Sequence, residues 1–460
     1  MSVGPAGPVG PAQASVPQDP YAPVRGRGYL KLLLVAAAVG FPVCALAFGF
    51  LALVHVLEPL LYSDLPRALG FAGTPIWWPV PLLVVAGLLV GLTVRHLPGH
   101  GGHEPADGLS LSGAPPLSAL PGVVLAALTS LSFGVVLGPE APLIALGGGL
   151  AAGALRLLRR GVPDQAAAAV GAAGSFAAIS ALLGSPLLGA FLLMEVSGLG
   201  GPMLGIVLVP GLLAAGIGAL VFTGLGEWTG LGTYSLALHD IPKAAVPTVP
   251  EFGWALVIGV LAALAATGVR RLAVFLKGHV VRHRVPATML MGLVVGALAV
   301  AFAAATGKSA TEMLYSGQSA LGSLFHDSAG YTVTALLMLI LCKGLAYCAS
   351  LSAFRGGPIF PALFLGAAGG VVLSHLPGLS LTAAFAMGVG AMCVAMLKLP
   401  MTSVLLATLL LGRPGLTVMP LVIVAVVVSY VVALRLTPAP AESAPAPAHP
   451  APPDPAPGTA

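Results

Sequence analysis

Charge is what this sequence has least of. Only 8% of its 460 residues are Asp, Glu, Lys or Arg, against about 25% in an ordinary soluble domain. A chain this poor in charge cannot cover itself with polar surface, which excludes a water-soluble enzyme or binding module. Cysteine is scarce too: Cys44, Cys342, Cys348 and Cys393 all lie inside apolar runs, with no Cys-x-x-Cys spacing and no His beside them. That pattern excludes a disulfide framework or a zinc site and leaves four small buried hydrophobes. There is no His-Glu-x-x-His, no Gly-x-Ser-x-Gly and no paired intramembrane Asp, so no enzyme is expected. The formal charge of +5 rests on only 20 Lys and Arg, an excess that membrane topology explains better than a nucleic-acid partner does.

What is present is apolar length. Hydrophobic residues make up 57% of the chain and mean hydropathy is +1.00. Runs of about 18 or more apolar residues, enough to cross a hydrocarbon layer of roughly 30 Å, recur along it. The expectation is an all-α polytopic integral membrane protein. Its segments are predicted near 29–57, 74–95, 116–137, 139–160, 166–182, 185–198, 202–223, 250–276, 286–305, 330–350, 357–374, 380–397, 400–411 and 415–436. Several are too short to span alone, and many begin at Pro or Gly. Broken or re-entrant helices show this pattern, and their ends meet inside the membrane where ions bind.

Residues 1–28 and 437–460 are rich in Pro and Ala and read as disordered tails. Arg25, Arg27 and Lys31 stand before the first apolar run and place the N-terminus in the cytoplasm. They do not form a signal peptide. Arg270, Arg271, Lys277, Arg282 and Arg284 read as a cytoplasmic loop dividing the 29–436 membrane domain into halves of similar hydropathy, 29–269 and 285–436.

Chemistry then rests on the few polar positions in apolar surroundings. Between Leu109 and Leu199 the charged residues are Glu140, Arg156, Arg159, Arg160, Asp164 and Glu195. Glu140 lies between Pro139 and Pro142 at the start of an apolar helix-forming run, and both prolines suit a first helical turn. A helix N-terminus at membrane depth presents unpaired N–H groups and a positive dipole end, which attract an anion. A carboxylate there serves as that anion when ionised and leaves when protonated, making a gate controlled by permeant anion and proton alike. An ordinary helix cap at the interface also fits this placement. Glu195 reads either as part of a proton path or as a side chain snorkelling to the interface.

These residues carry a resemblance. Gly138-Pro139-Glu140-Ala141-Pro142 resembles the gating motif G-[KR]-E-G-P of the CLC family of chloride channels and chloride/proton antiporters, departing at Pro139 and Ala141. LLGSPLLGAFLLMEV is similar to the family's N-A-P-L-x-G-x-x-F-x-x-E helix, FRGGPIFPALFLGAAGG to its G-G-x-F-x-P turn, and LPMTSVLLATLLL with MPLVIVAVVV to its last helix pair. The likeness covers roughly 29–436. It implies two inverted-topology repeats, a homodimer with one pore per subunit, Glu140 as the gate, and anion ligands at Gly138, Pro139, Glu140, Ala141, Gly356, Gly357, Ile359 and Phe360.

Counted from the Gly pair, the family's Phe falls at Ile359, and Pro358 has no N–H to donate. The family's G-S-G-I-P Ser has no counterpart in Gly99-His100-Gly101-Gly102-His103-Glu104-Pro105, and its inner-gate Tyr has none either, Tyr430 lying too early. Val196 stands where the antiporters carry their proton-transfer Glu, which favours a channel-like path, with Glu195 as the substitute if protons are coupled.

His96, His100, His103, Glu104 and Asp107 are irregularly spaced on a Gly-rich loop and read as solvated loop residues, with no metal expected. Lys343, Arg355 and Lys398 read as sources of positive potential or as interface anchors, and Trp77, Trp78, Trp228 and Trp254 as aromatic-belt residues. The function expected is transport of chloride or a similar small anion across the plasma membrane, without a cofactor and with both termini cytoplasmic. The alternatives are a chloride/proton antiporter or a secondary transporter of another fold.

Overall fold

The computed structural model describes residues 22–109, 113–159, 161–198, 201–231 and 236–437. The expected C-terminal tail from 438 and the N-terminal tail up to residue 21 lie outside the described residues. The last of the N-terminal stretch is already helical, as a short turn at Ala22–Arg25.

The first half contains α1 (Arg27–Pro59), α2 (Pro79–His96), α3 (Leu120–Ser132), α4 (Glu140–Leu158), α5 (Asp164–Leu183), α6 (Pro186–Ser197) and α7 (Gly201–Thr229). The second contains α8 (Val249–Arg282), α9 (Arg284–Thr306), α10 (Val333–Ala353), α11 (Ile359–Leu373), α12 (Leu381–Leu397), α13 (Pro400–Leu410) and α14 (Arg413–Leu436). Among the described residues nine helices are long and apolar enough to cross a membrane, and α3, α6, α11, α12 and α13 belong to shorter apolar helices between them. The alternation of full spans with broken helices is therefore the architecture, all-α and without a named strand among the described residues.

Proline starts many of these elements. It stands in the first turn of α2, α3, α6, α8, α13 and α14, where its missing N–H costs no helical bond. Gly184, Gly198 and Gly307 end α5, α6 and α9 in the left-handed conformation, as helix C-termini favour.

The two halves are joined by small residues. G-L-L-V-G on α2 (Gly87 to Gly91) faces G-L-V-V-G on α9 (Gly292 to Gly296). A Cβ on Gly292 would run into the Leu83 carbonyl, and one on Gly296 would lie 2.7 Å from the Val80 Cα. Such spacing lets two backbones touch where lipid removes any hydrophobic drive for helix association. Within each half the device recurs: Gly147 on α4 meets Gly174 on α5, and Gly366 on α11 meets Gly388 on α12.

One boundary differs from the sequence reading. Arg270, Arg271, Lys277 and Arg282 are not in a loop: α8 runs unbroken to Arg282 and α9 begins at Arg284. The expected division at 269–285 cuts through a helix that packs chiefly on α14, α12 and α10, while the described part of the 230–248 connector has no helix. Lys and Arg are good helix formers, so a basic cluster does not mark a break. Trp78 is also not a belt residue: it is buried and donates its indole N–H to Leu61 O at 3.0 Å.

Candidate functional site

Two short helices begin at the same place. The sequence reads G-P-E-A-P-L-I-A-L-G at 138–147 and G-P-I-F-P-A-L-F-L-G at 357–366, the same pattern in the same register. Pro139 caps α4 and Pro358 caps α11 in like conformations. The preceding glycines pair across an antiparallel bridge: Gly138 N–H donates to Gly357 O at 2.8 Å, and Gly357 N–H to Gly138 O at 2.6 Å. These two amides are thus spent on each other, and Pro139 has none. Of the ligands expected from sequence, Gly138 and Gly357 contribute clearance rather than donors.

That clearance is needed. Glu140 is fully buried, and one carboxylate oxygen, Oε1, accepts the N–H of Ile359. Its own amide and that of Phe360 also face the carboxyl. A Cβ on Gly138 or Gly357 would collide with this side chain, so only glycine at both positions admits it. Oε2 is buried and has no hydrogen-bond partner, an acceptor left open and hence a place for a proton. Glu140 is brought to Ile359 and Phe360, far from it in sequence, where its carboxyl rests on the N-terminus of the opposite half; Ala141 follows it in the first turn of α4.

Two serines hold the turns. Ser350 Oγ on α10 accepts Val136 N–H at 3.2 Å, and Ser130 Oγ on α3 accepts Arg355 N–H at 3.2 Å, each half bracing the other. Tyr347 is buried and its hydroxyl donates to Pro358 O at 2.6 Å. Lys343, one turn earlier, is buried and donates to Met313 O, Leu314 O and Tyr315 O at 2.9, 2.9 and 3.1 Å, with Phe364 4.6 Å away. Its amine lies inside the protein and is not an interface anchor. Sequence reading missed this row, although Lys343, Tyr347 and Ser350 recur at the spacing of one helix face.

The loop before α3 departs furthest from expectation. Glu104 is not a solvated loop residue: it pairs with Lys277 at 2.7 Å, Arg284 at 2.9 Å and Arg355 at 3.2 Å. Burial pushes its carboxyl up, but the Lys277 hydrogen bond and the Arg355 and Arg284 cations outweigh that and hold it at about 2. Glu195, at the end of α6, accepts Met401 N–H, Thr402 N–H and the Thr402 hydroxyl at 2.8, 2.7 and 2.6 Å, and so caps α13 in the other half.

Comparison with known proteins gives a family and a fold. The family model for the voltage gated chloride channel matches residues 82–434. An Escherichia fergusonii protein named for ion transport, YfeO, is 31% identical over 367 residues, covering 77% of this chain and 81% of that one. A CLC-type fluoride/proton antiporter superposes with a TM-score of 0.68 at 20% identity, covering 88% of this chain and 96% of the other. A slow cyanobacterial chloride/proton antiporter gives 0.71 at 18%, covering 88% and 95%.

Proposed function

The chain belongs to the voltage gated chloride channel family, and from that premise we propose that it carries chloride or a similar small anion through a pore gated by the Glu140 carboxyl. One observation supports this above the others. The side chain rests on the Ile359 amide with a second oxygen unpartnered, which is where a free anion would rest once the carboxylate left. An anion and a carboxylate compete for the same donors, so protonation, which removes the charge, releases the site. Ala141, Ile359 and Phe360 keep amides for the ion, with Gly138 and Gly357 allowing close approach, while Gly356, expected to do the same, packs instead against Leu137.

On this reading the path is channel-like. The residue after Glu195 is Val196, which carries no proton, and Glu195 itself is engaged in capping α13. Coupled exchange with protons is the second reading, favoured by the solved relatives described as antiporters, and Glu195 is then the first residue to examine. The N-terminus is read as cytoplasmic from Arg25, Arg27 and Lys31 and the C-terminus with it, the membrane as the plasma membrane, and the assembly as a homodimer from the family likeness.

The test uses purified protein in chloride-loaded liposomes, with chloride efflux and external pH recorded together and the potassium gradient clamped by valinomycin. Chloride efflux without uphill proton movement is expected. Efflux that drives protons uphill selects the exchanger, and no anion flux at all overturns the proposal.

A further inference from the structure

The Glu104 cluster has no part in the gate just described, yet it touches the same turn from the other side. Arg355 immediately precedes Gly356 and Gly357 and is 3% exposed. Its Nε and Nη2 donate to His100 O, both at 3.3 Å, its Nη1 to Phe354 O at 3.3 Å, and Nη2 also to Glu104 Oε1 at 3.2 Å. Arg284 Nη1, from the first turn of α9, reaches the same oxygen at 2.9 Å. Lys277 Nζ on α8 lies 2.7 Å from Oε2 and 2.6 and 2.7 Å from the two Asp107 oxygens. Three cations from three elements thus surround one carboxylate, and with Asp107 counted the group keeps an excess positive charge. The Glu104 side chain remains 23% exposed, so solvent reaches the carboxylate while the guanidinium of Arg355 lies behind it.

The segment carrying Glu104 has an unusual backbone. Gly99, His100, Gly101 and Gly102 have φ of 77°, 48°, 71° and 90°, four successive left-handed residues, one of them not glycine. Glu104 follows directly.

We propose that Arg355, Arg284 and Lys277 form a second small-anion site beside the Gly356–Gly357 turn, and that the Glu104 carboxylate occupies it as a tethered anion which free chloride displaces. Guanidinium and ammonium donors that hold a carboxylate hold a halide by the same charge-assisted hydrogen bonds. The two carboxylates then differ in what releases them. Glu140 sits on neutral amides and leaves on protonation, whereas Glu104, held by cations at about 2, stays ionised at any working pH and yields to anion concentration. The inference rests on the anion-transport reading for its role, but the site is tested by binding alone.

The experiment follows the thermal unfolding midpoint of the purified full chain as chloride replaces gluconate at constant ionic strength. Binding to the folded state raises the midpoint with ligand concentration. Glu104→Gln vacates the site without removing its cations, so its chloride-dependent rise is expected to be about twice that of the wild type or more. Glu104→Gln with Arg284→Gln returns the cluster to its wild-type net charge, and its rise is expected to fall back to the wild-type level. Should Glu104→Gln not fold, Glu104→Asp withdraws the carboxylate by one methylene while keeping the charge, and it too is expected to show the larger rise. An equal rise in wild type and single variant, or a larger rise that persists in the double variant, overturns the proposal and leaves Glu104 a structural clamp. Failure of the Glu140 gate would appear in flux and leave this midpoint series unchanged, so the two ideas fall separately.

Discussion

The two turns that meet at the centre of the molecule share a pattern and differ in what they carry. In the first half the helix begins with Glu140; in the second, at the matching position, it begins with Ile359. Backbone and prolines are alike, and the glycines hydrogen-bond to each other. One repeat therefore supplies the titratable side chain and the other the donor it rests on. The flanking residues divide the work again, Val136 in the first half and Arg355 in the second. A duplicated frame fixes where an anion can be held, and single substitutions on each copy decide whether the occupant is tethered or free.

The strongest way to break this asymmetry is to fill the glycine cradle. In Gly357→Ala the new methyl meets the Glu140 side chain, a flexible group that can move away. The expected result is efflux raised several-fold at neutral pH, with a weakened pH dependence and normal expression. Gly356→Ala, where the methyl meets Leu137 Cβ at 2.6 Å and Gly138 O at 3.1 Å, is expected instead to lower the unfolding midpoint without freeing the gate. The same outcome for both would mean that the cradle has no special relation to Glu140.

A smaller effect compares the contacts between halves with those inside one. Gly292→Ala pushes a methyl against the Leu83 carbonyl and is expected to cost about 1–3 kcal/mol, read as loss of detergent-stable protein. Ser130→Ala and Ser350→Ala each leave one buried N–H without a partner, at Arg355 and Val136. Each should cost about 1–3 kcal/mol, and near-equal losses would support the equivalence of the two turns. Glu195→Gln removes charge from the cap of α13 at about 0.5–2 kcal/mol, and chloride efflux should be unchanged.

The smallest expected effect concerns pH. Glu104 is held below its ordinary value of 4.5, so its stabilisation is complete above about 4.5 and is lost only as pH falls toward 2. Between pH 5 and 8 the difference in stability between wild type and Glu104→Gln should therefore be constant. A difference that changes across that range would place another titrating group in the cluster.

Much of this was legible in the sequence because membrane helices announce themselves by apolar length and Pro or Gly ends, and because Glu140 is an acid where almost no charge occurs. Most helix limits fall within three residues of the predicted segments, and the largest departures, at the ends of α7 and α8, are six. What was not legible depends on pairing across the fold. Glu104 looks solvated on its loop because its partners lie on α8, α9 and the turn before α11. Glu195 looks like an interfacial acid because the amides it caps are on α13. The repeated G-P-x-x-P and the paired G-L-x-V-G segments were present in the sequence, and they identify the equivalent turns and the facing helices.

The most direct measurement compares chloride efflux from liposomes for the wild type and Glu140→Gln between pH 5 and 8. With a protonatable gate, wild-type efflux rises as pH falls. The protonated fraction of a single carboxyl changes by at most about tenfold per pH unit, so efflux is expected to rise by up to about tenfold for each unit that the pH falls. The variant should stay near the low-pH level throughout. A Glu140→Gln profile that still rises like the wild type would contradict the assignment of the gate to Glu140.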